Sequence, residues 1–270
     1  MNAIQQMHHH RSIRRYKPDP VPEEVLNEIL EAGIRASSSG NMQSYSVIVT
    51  RDPDLKQALL EPHLQQRMVV EAPLLLTFCA DFNRMRRWLA LSDAPDNFDN
   101  FFSFMVGAID AVLVSQNMAL AAESQGLGIC YLGSTLSSCS RIGEILKLPE
   151  HVMPVTGFVL GYPDEDPDLR YRLPRKGLVH HETYQPYSDQ DIEAIYAEKE
   201  TRGWARYLKS PRLRKLVEES GVENLAQLYT VVKYTREGYQ RHAQKVLQTL
   251  EKRGFMENGI NQGSLPGADK

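Results

Sequence analysis

Apolar residues recur at positions 25, 26, 29, 30 and 34 of "PEEVLNEILEAGIR" (22–35). That spacing predicts a helix, with Pro22 at its first position and two glutamates in its first turn. "SYSVIVTR" (44–51) reads as a strand, and "DPDLKQALL" restarts a helix with Asp52 as cap and Pro53 at the first position. "PLLLTFCAD" (73–81) is a continuous apolar run, as in a strand covered on both faces. From Phe98 to Gln125 the chain is apolar on most sides of a helical projection, which predicts the central core helix, stopped by Gly126 and Gly128. "GICYLGS" (128–134) is a short strand entering a loop, "SCSRIGEILKLP" a helix, and "VMPVTGFVLGYP" (152–163) a further buried strand.

After Tyr162 the pattern changes. "DEDPDLRYRLPRKGLVHHETYQPYS" predicts a long polar arm without regular structure, followed by charged helices to about residue 253 and a frayed tail, "NGINQGSLPGADK". About four strands alternating with helices predict a layered α+β or α/β domain with arms. No repeats and no linker between independent cores are visible.

Composition narrows the classes. The chain has 270 residues, 42% hydrophobic and 24% charged, and so sits in the ordinary globular range. A net charge of −3, from 31 basic and 34 acidic residues, argues against a general nucleic-acid binder. The cysteines, Cys79, Cys130 and Cys139, are odd in number and form no CxxC, which predicts buried thiols in a reduced, cytoplasmic protein. "MNAIQQMHHH" lacks the apolar core of a signal peptide, and no uncharged apolar run reaches the ~18 residues of a membrane span.

The candidate chemistry is mostly cationic or amide-like. His8 to His10 are adjacent, point in different directions and have no companion Cys, Asp or Glu at ligand spacing, so no metal site is expected. "RSIRR" places Arg11 with Arg14 or Arg15 on one face if it forms a helical turn, a set suited to one phosphate; a solvated surface turn is the plain alternative. Ser37, Ser38, Ser39, Asn41 and Gln43 offer uncharged donors and acceptors for a flat heterocycle, or simply make a polar turn. "GLGICYLGS" sets glycines around a strand, where backbone can approach a ligand, but it is not a dinucleotide fingerprint. Arg170 and Arg172, two apart in extended chain, point the same way and could complete a phosphate clamp. No Ser-His-Asp order, phosphate-binding Walker loop or HExxH occurs, so nothing points to hydrolysis.

Taken in order, "HRSIRRY", "ASSSGNMQ", "FCADFNR", "AAESQGLGICYLG", "LKLPEHVMPVTGFVLGYP", "PDLRYRLP" and "LVHHETYQPYS" resemble the FMN-dependent nitroreductase family, in particular its NADPH-using oxygen-insensitive nitroreductase and flavin reductase branch. The resemblance covers about residues 8 to 188; the helical end beyond it is longer than expected. It implies an α+β fold, a mixed sheet wrapped by helices, built as an intertwined homodimer with extended arms and FMN sites at the subunit interface. Residues 1–188 would form the FMN-binding core with its arm, and 189–270 a helical extension packed on the dimer.

By position, His10, Arg11, Ser12 and Arg14 resemble the family's contacts to the FMN phosphate, ribityl chain and ring edge. Ser38, Ser39, Asn41 and Gln43 fall in the ring segment, and Gln66 matches another ring contact. Tyr131, Leu132, Gly133 and Ser134 match the loop whose backbone approaches flavin N5, the Gly133 backbone being near it. Arg170 and Arg172 match a second cationic pair. "TRG" (201–203) resembles a mobile loop that approaches the NADPH 2′-phosphate, which nominates Arg202, with Arg206 and Lys209 behind it and Gly203 as a hinge.

The resemblance implies double displacement. NADPH reduces FMN and leaves; a small acceptor (a nitroaromatic, a quinone or free flavin) then takes the electrons, with no side-chain nucleophile. An FMN-dependent dehydrogenase or dehalogenase on the same scaffold is one alternative, and a non-catalytic flavin-binding sensor another. Neither a nucleic acid nor a membrane is an expected partner.

Overall fold

The structure is a computed structural model describing residues 2–256; the tail read as frayed lies outside them. The chain forms two compact units, residues 1–168 with 243–270, and residues 169–242. The sequence reading placed a single division at 188.

The first unit begins with α1 (Ala3–His9), which the hydrophobic pattern did not announce; Asn2 caps it and Gln5 closes a reciprocal capping box. Then come α2 (Glu23–Ile34), β1 (Tyr45–Thr50), α3 (Pro53–Leu60), α4 (Met68–Glu71) and β2 (Leu74–Asp81). Pro22 is the cap of α2 rather than its first residue, whereas Asp52 caps α3 with Pro53 first, as expected. Next are α5 (Asn83–Leu91), α6 (Phe101–Ser124), β3 (Gly128–Tyr131), α7 (Ser134–Ser137), α8 (Cys139–Ile145) and β4 (Val152–Gly161).

The four strands lie in the order β1-β2-β4-β3. Every pairing is antiparallel, so among the described residues the sheet is not the mixed one expected. Period-2 alternation divides its side chains between two layers. Leu74, Leu76, Phe78, Ile129, Phe158 and Leu160 pack with α2 and α6, on the side of Leu26, Ile29, Val114 and Met118. Leu75, Cys130 and Val159 face Leu59, Met68, Val69 and Ile142 from α3, α4 and α8. All of β2 is therefore buried, which is why its sequence is continuously apolar. The three cysteines are buried and unpaired.

Helix α6 is the spine of this unit. Ala111, Val114, Met118, Ala119 and Ala122 enter the core. Gly107 lets the helix approach β1 and β2: a Cβ there would stand 2.8 Å from the Ser44 carbonyl oxygen and 3.0 Å from Ala80 Cβ. By length and composition α6 could cross a bilayer, yet 44% of its most apolar window is buried inside the protein. It has a second apolar stripe, Phe102, Met105, Ile109, Val112 and Leu113, that is exposed.

The second unit opens with the polar arm, irregular as expected, and continues as α9 (Asp189–Lys209), α10 (Pro211–Ser220) and α11 (Leu225–Gln227) before entering α12 (Arg236–Lys252). Its own small core is Tyr207, Val217, Val222, Leu225 and Leu228. The expected mobile loop at 201–203 is instead the interior of α9, capped by Ser188 and Asp191 and anchored by buried Ile195 and Tyr207. Gly203 is no hinge: a Cβ there would lie 2.5 Å from Leu225 Cδ2, so its role is close packing.

Candidate flavin site

The basic segment that follows α1 is extended, not a helical turn. Ile13 N–H donates to the Ile129 carbonyl at 2.9 Å and Lys17 N–H to the Tyr162 carbonyl at 2.9 Å, tying the segment to β3 and to the end of β4. The acidic run 164–166, which no motif marks, faces this segment. Arg11 pairs with Asp166 and donates to the Pro167 carbonyl at 3.2 Å. The Arg14 N–H donates to Glu165 Oε1 at 2.5 Å, and Arg15 lies 3.6 Å from Glu165 Oε2. His10 Nδ1 meets Glu123 Oε1 of α6 at 2.5 Å. The Cys130 thiol of β3 donates to the Tyr131 carbonyl at 3.6 Å, and burial raises its pKa. The candidate anion site is thus cationic but partly matched by carboxylates.

The 38–44 loop is held differently. Asp110, 1% exposed and one of two charged residues in α6, accepts from Ser38 Oγ at 2.7 Å, Ser39 N–H at 3.1 Å and Ser44 N–H at 3.2 Å. Gln43 N–H donates to Ser38 Oγ at 2.7 Å. Asn41 and Gln43 adopt left-handed backbone, φ 55° and 53°, which Asn tolerates better than most residues. The loop and α6 border a concavity of about 300 Å³ lined by Ser38, Ser39, Ile109, Asp110 and Leu113. A separate groove of about 410 Å³, lined in part by Glu61, Arg141 and Lys245, contains none of the expected residues.

The third group converges from distant parts of the chain. Gln66 Nε2 donates to the His63 carbonyl at 2.9 Å and to Ser134 Oγ at 3.3 Å, while His63 Nδ1 lies 2.9 Å from the same Ser134 oxygen. Leu64 and Gln65 both have left-handed φ, 58° and 57°. Such backbone is costly for a leucine and aims the following residue. Burial pushes the His63 imidazole down to about 4, so it is neutral near pH 7. Tyr131 is fixed by its hydroxyl, 2.9 Å from Ser115 Oγ of α6, and Leu132 N–H by the Gly157 carbonyl at 2.8 Å. Gly133 faces open space: a Cβ there would have no neighbour within 4 Å.

The structure therefore brings Gln66 to Ser134, and Ser38 to Ser39 and Gln43. It anchors the basic segment at the C-terminal end of α6 and the 38–44 loop near its middle. Their anchors, Glu123 and Asp110, are 13 residues apart, about 20 Å of helix. Arg170 and Arg172 are exposed residues of the second unit. Arg202 is paired with Glu198 at 2.6 Å and lies 5.7 Å from the Tyr171 ring centroid; Arg206 and Lys209 share its helix. Asp110 and Glu123 were visible as rare charges in an apolar helix, whereas His63 carried no local signal.

Residues 7–162 match the profile of the nitroreductase family. The chain belongs to that family. It is 35% identical over 243 residues to the FMN reductase [NAD(P)H] of Bacillus subtilis, spanning 81% of this chain and 97% of the relative. The oxygen-insensitive NADPH nitroreductase of Salmonella typhimurium is 38% identical over 191 residues, 70% of this chain and 77% of the relative. The crystal structure of the NADPH:FMN oxidoreductase of Vibrio harveyi, complexed with NAD+, superposes with a TM-score of 0.72 at 28% identity, covering 93% of this chain and 98% of that one. The nitroreductase fold thus accounts for both units, the helical end included.

Proposed function

We propose that this nitroreductase-family chain binds FMN and passes electrons from NADPH to small acceptors such as nitroaromatics, quinones or free flavin. The observation that carries the proposal is the convergence of Gln66 and Ser134 beside the open backbone at Gly133. The donor set fits the cofactor. Guanidinium groups of Arg11 and Arg14 suit a phosphate dianion, and Arg170 and Arg172 are the proposed second cationic pair. Uncharged amide and hydroxyl groups suit the polar edge of a flavin ring. His10 and Ser12 are the proposed contacts between these two ends.

When bound, FMN supplies the redox chemistry, accepting a hydride and releasing electrons. The chain's part is to hold and to expose. The backbone at Gly133, with no side chain over it, leaves room for donor and acceptor in turn. The cations favour an anionic reduced ring. No general acid or nucleophile is required of a side chain.

The same reading makes the protein a homodimer. The exposed stripe at 102, 105, 109, 112 and 113 needs a cover. A second copy packed on that stripe would supply its loop to the first copy's basic segment. Three buried, unpaired thiols accord with a cytoplasmic setting. Arg202 remains the proposed reader of the NADPH 2′-phosphate, now from a helix and in competition with Glu198.

The experiment is spectroscopic. The purified or FMN-reconstituted protein should carry about one FMN per chain, lose its colour with NADPH, and regain it with nitrofurazone or a quinone. A protein that cannot be loaded with FMN ends the proposal. Arg202→Ala should raise KM for NADPH and leave KM for NADH and the FMN content unchanged; equal losses with both nucleotides would remove that residue's role.

A further inference from the structure

We infer that His63 is a positioning residue that sets the hydrogen-bonding polarity of the Ser134–Gln66 pair, presenting a hydroxyl donor beside an amide-oxygen acceptor to the flavin. The inference rests on the FMN reading above and adds to it a residue that lies behind the contacts.

The His63 carbonyl oxygen can only accept, so the Gln66 atom 2.9 Å from it must be nitrogen, which fixes the orientation of that amide. Its second N–H faces Ser134 Oγ at 3.3 Å. Both amide hydrogens are thereby used inside the protein, and only Oε1 is left to meet a ligand. Ser134 Oγ also lies 2.9 Å from His63 Nδ1.

A neutral imidazole has one donor nitrogen and one acceptor nitrogen. His63 Nε2 is buried and has no hydrogen-bond partner, and the residue is 1% exposed. If Nδ1 accepted from Ser134, Nε2 would carry a buried N–H with nothing to receive it. If Nδ1 donates, the unmatched group is only a lone pair. Buried N–H groups without acceptors are the rarer defect in folded proteins. The second tautomer therefore holds. Ser134 Oγ accepts twice, from His63 and from Gln66, and its own hydrogen has no acceptor among the described residues. That hydrogen is available to a ligand.

A donor hydroxyl beside an acceptor amide oxygen complements a ring edge on which a carbonyl adjoins an N–H, the class to which the flavin imide belongs. The left-handed pair Leu64–Gln65 fixes where Gln66 stands relative to His63, so the three residues act as one unit.

The test has two arms. In 15N-resolved NMR of the FMN-free wild-type chain, His63 should show a protonated Nδ1 and a bare Nε2; the opposite tautomer overturns the inference whatever the protein binds. FMN is then titrated into apo protein carrying His63→Leu or His63→Asn. Loss of one hydrogen bond should make His63→Leu bind FMN about tenfold more weakly and shift its visible flavin absorption. Asn can place an amide N–H where Nδ1 stood, and should restore both affinity and spectrum. Equal effects of Leu and Asn, with equal losses of thermal stability, would reduce His63 to core packing and overturn the inference. If His63→Leu does not fold, the tautomer and the His63→Asn spectrum decide. A wild-type chain that takes up no FMN would refute the functional reading instead, while the tautomer measurement still judges the polarity of the pair.

Discussion

The 38–44 loop and the Arg11 side chain of the 10–15 segment are held by carboxylates of opposite character. Asp110 is 1% exposed and receives four hydrogen bonds from Ser38, Ser39 and Ser44, so the loop it binds has one arrangement. Asp166, the partner of Arg11, has a side chain 89% exposed, so water and salt compete with it. A buried carboxylate builds a shape, whereas an exposed one keeps a cation occupied until a better anion arrives. The first is architecture; the second is an exchangeable counter-ion at the proposed phosphate grip.

Removing the buried partner should break this contrast most severely. Hydrogen bonds to a charged group contribute about 1.5–3 kcal/mol each, so Asp110→Ala should cost about 4 kcal/mol in urea unfolding after allowing for non-additivity. Asp110→Asn, which keeps an acceptor, should cost distinctly less. A change within 1 kcal/mol for Asp110→Ala would mean that the loop is held by something else.

His63 extends the buried side of the contrast to pH. Its folded pKa, about 4, lies below the ordinary 6.5. Between these values the unfolded chain binds a proton that the folded chain refuses, so stability falls as pH drops through that window and is complete above it. The loss should approach about 3 kcal/mol by pH 4 and should vanish in His63→Asn. An unchanged pH dependence in that variant would locate the acid sensitivity elsewhere.

On the exposed side, Arg11→Ala should leave unfolding almost unchanged and weaken FMN binding by about 2 kcal/mol, the scale of a charge-assisted hydrogen bond. The smallest effect belongs to its counter-ion. Asp166→Asn should tighten FMN by about 0.5 kcal/mol at low salt, and the gain should fade as salt screens it. Weaker binding in Asp166→Asn would make Asp166 a support for Arg11 rather than a competitor of the ligand.

Much of this organisation was legible. The apolar run 73–81 became the fully buried β2, the run 98–125 the spine α6, and Asp52–Pro53 a helix start, because each signal lies within one or two turns of chain. The segments around Arg11, Ser38, Gln66 and Gly133 can be nominated as candidates from the sequence. Their partners were not. Glu165 is 151 residues from Arg14, Asp110 is 72 from Ser38, and Ser134 is 71 from His63. "TRG" illustrates the reverse error: a glycine amid charges reads as a hinge until Leu225 is found against it.

By itself the sequence determined where chain could be helical or extended, which strands had to be covered on both faces, and which residue types were available to a cofactor. Those properties follow from periodicity and caps, which act between near neighbours. Tertiary structure decided the rest: that all strand pairings among the described residues are antiparallel, that Gly203 closes a helix contact, and that Asp110, Glu123 and His63 each hold a segment far away in the chain. The physical reason is common to these cases. A hydrogen bond or close packing contact depends on position in space to within an ångström, and no local pattern carries that information until the sheet and α6 have brought the segments together.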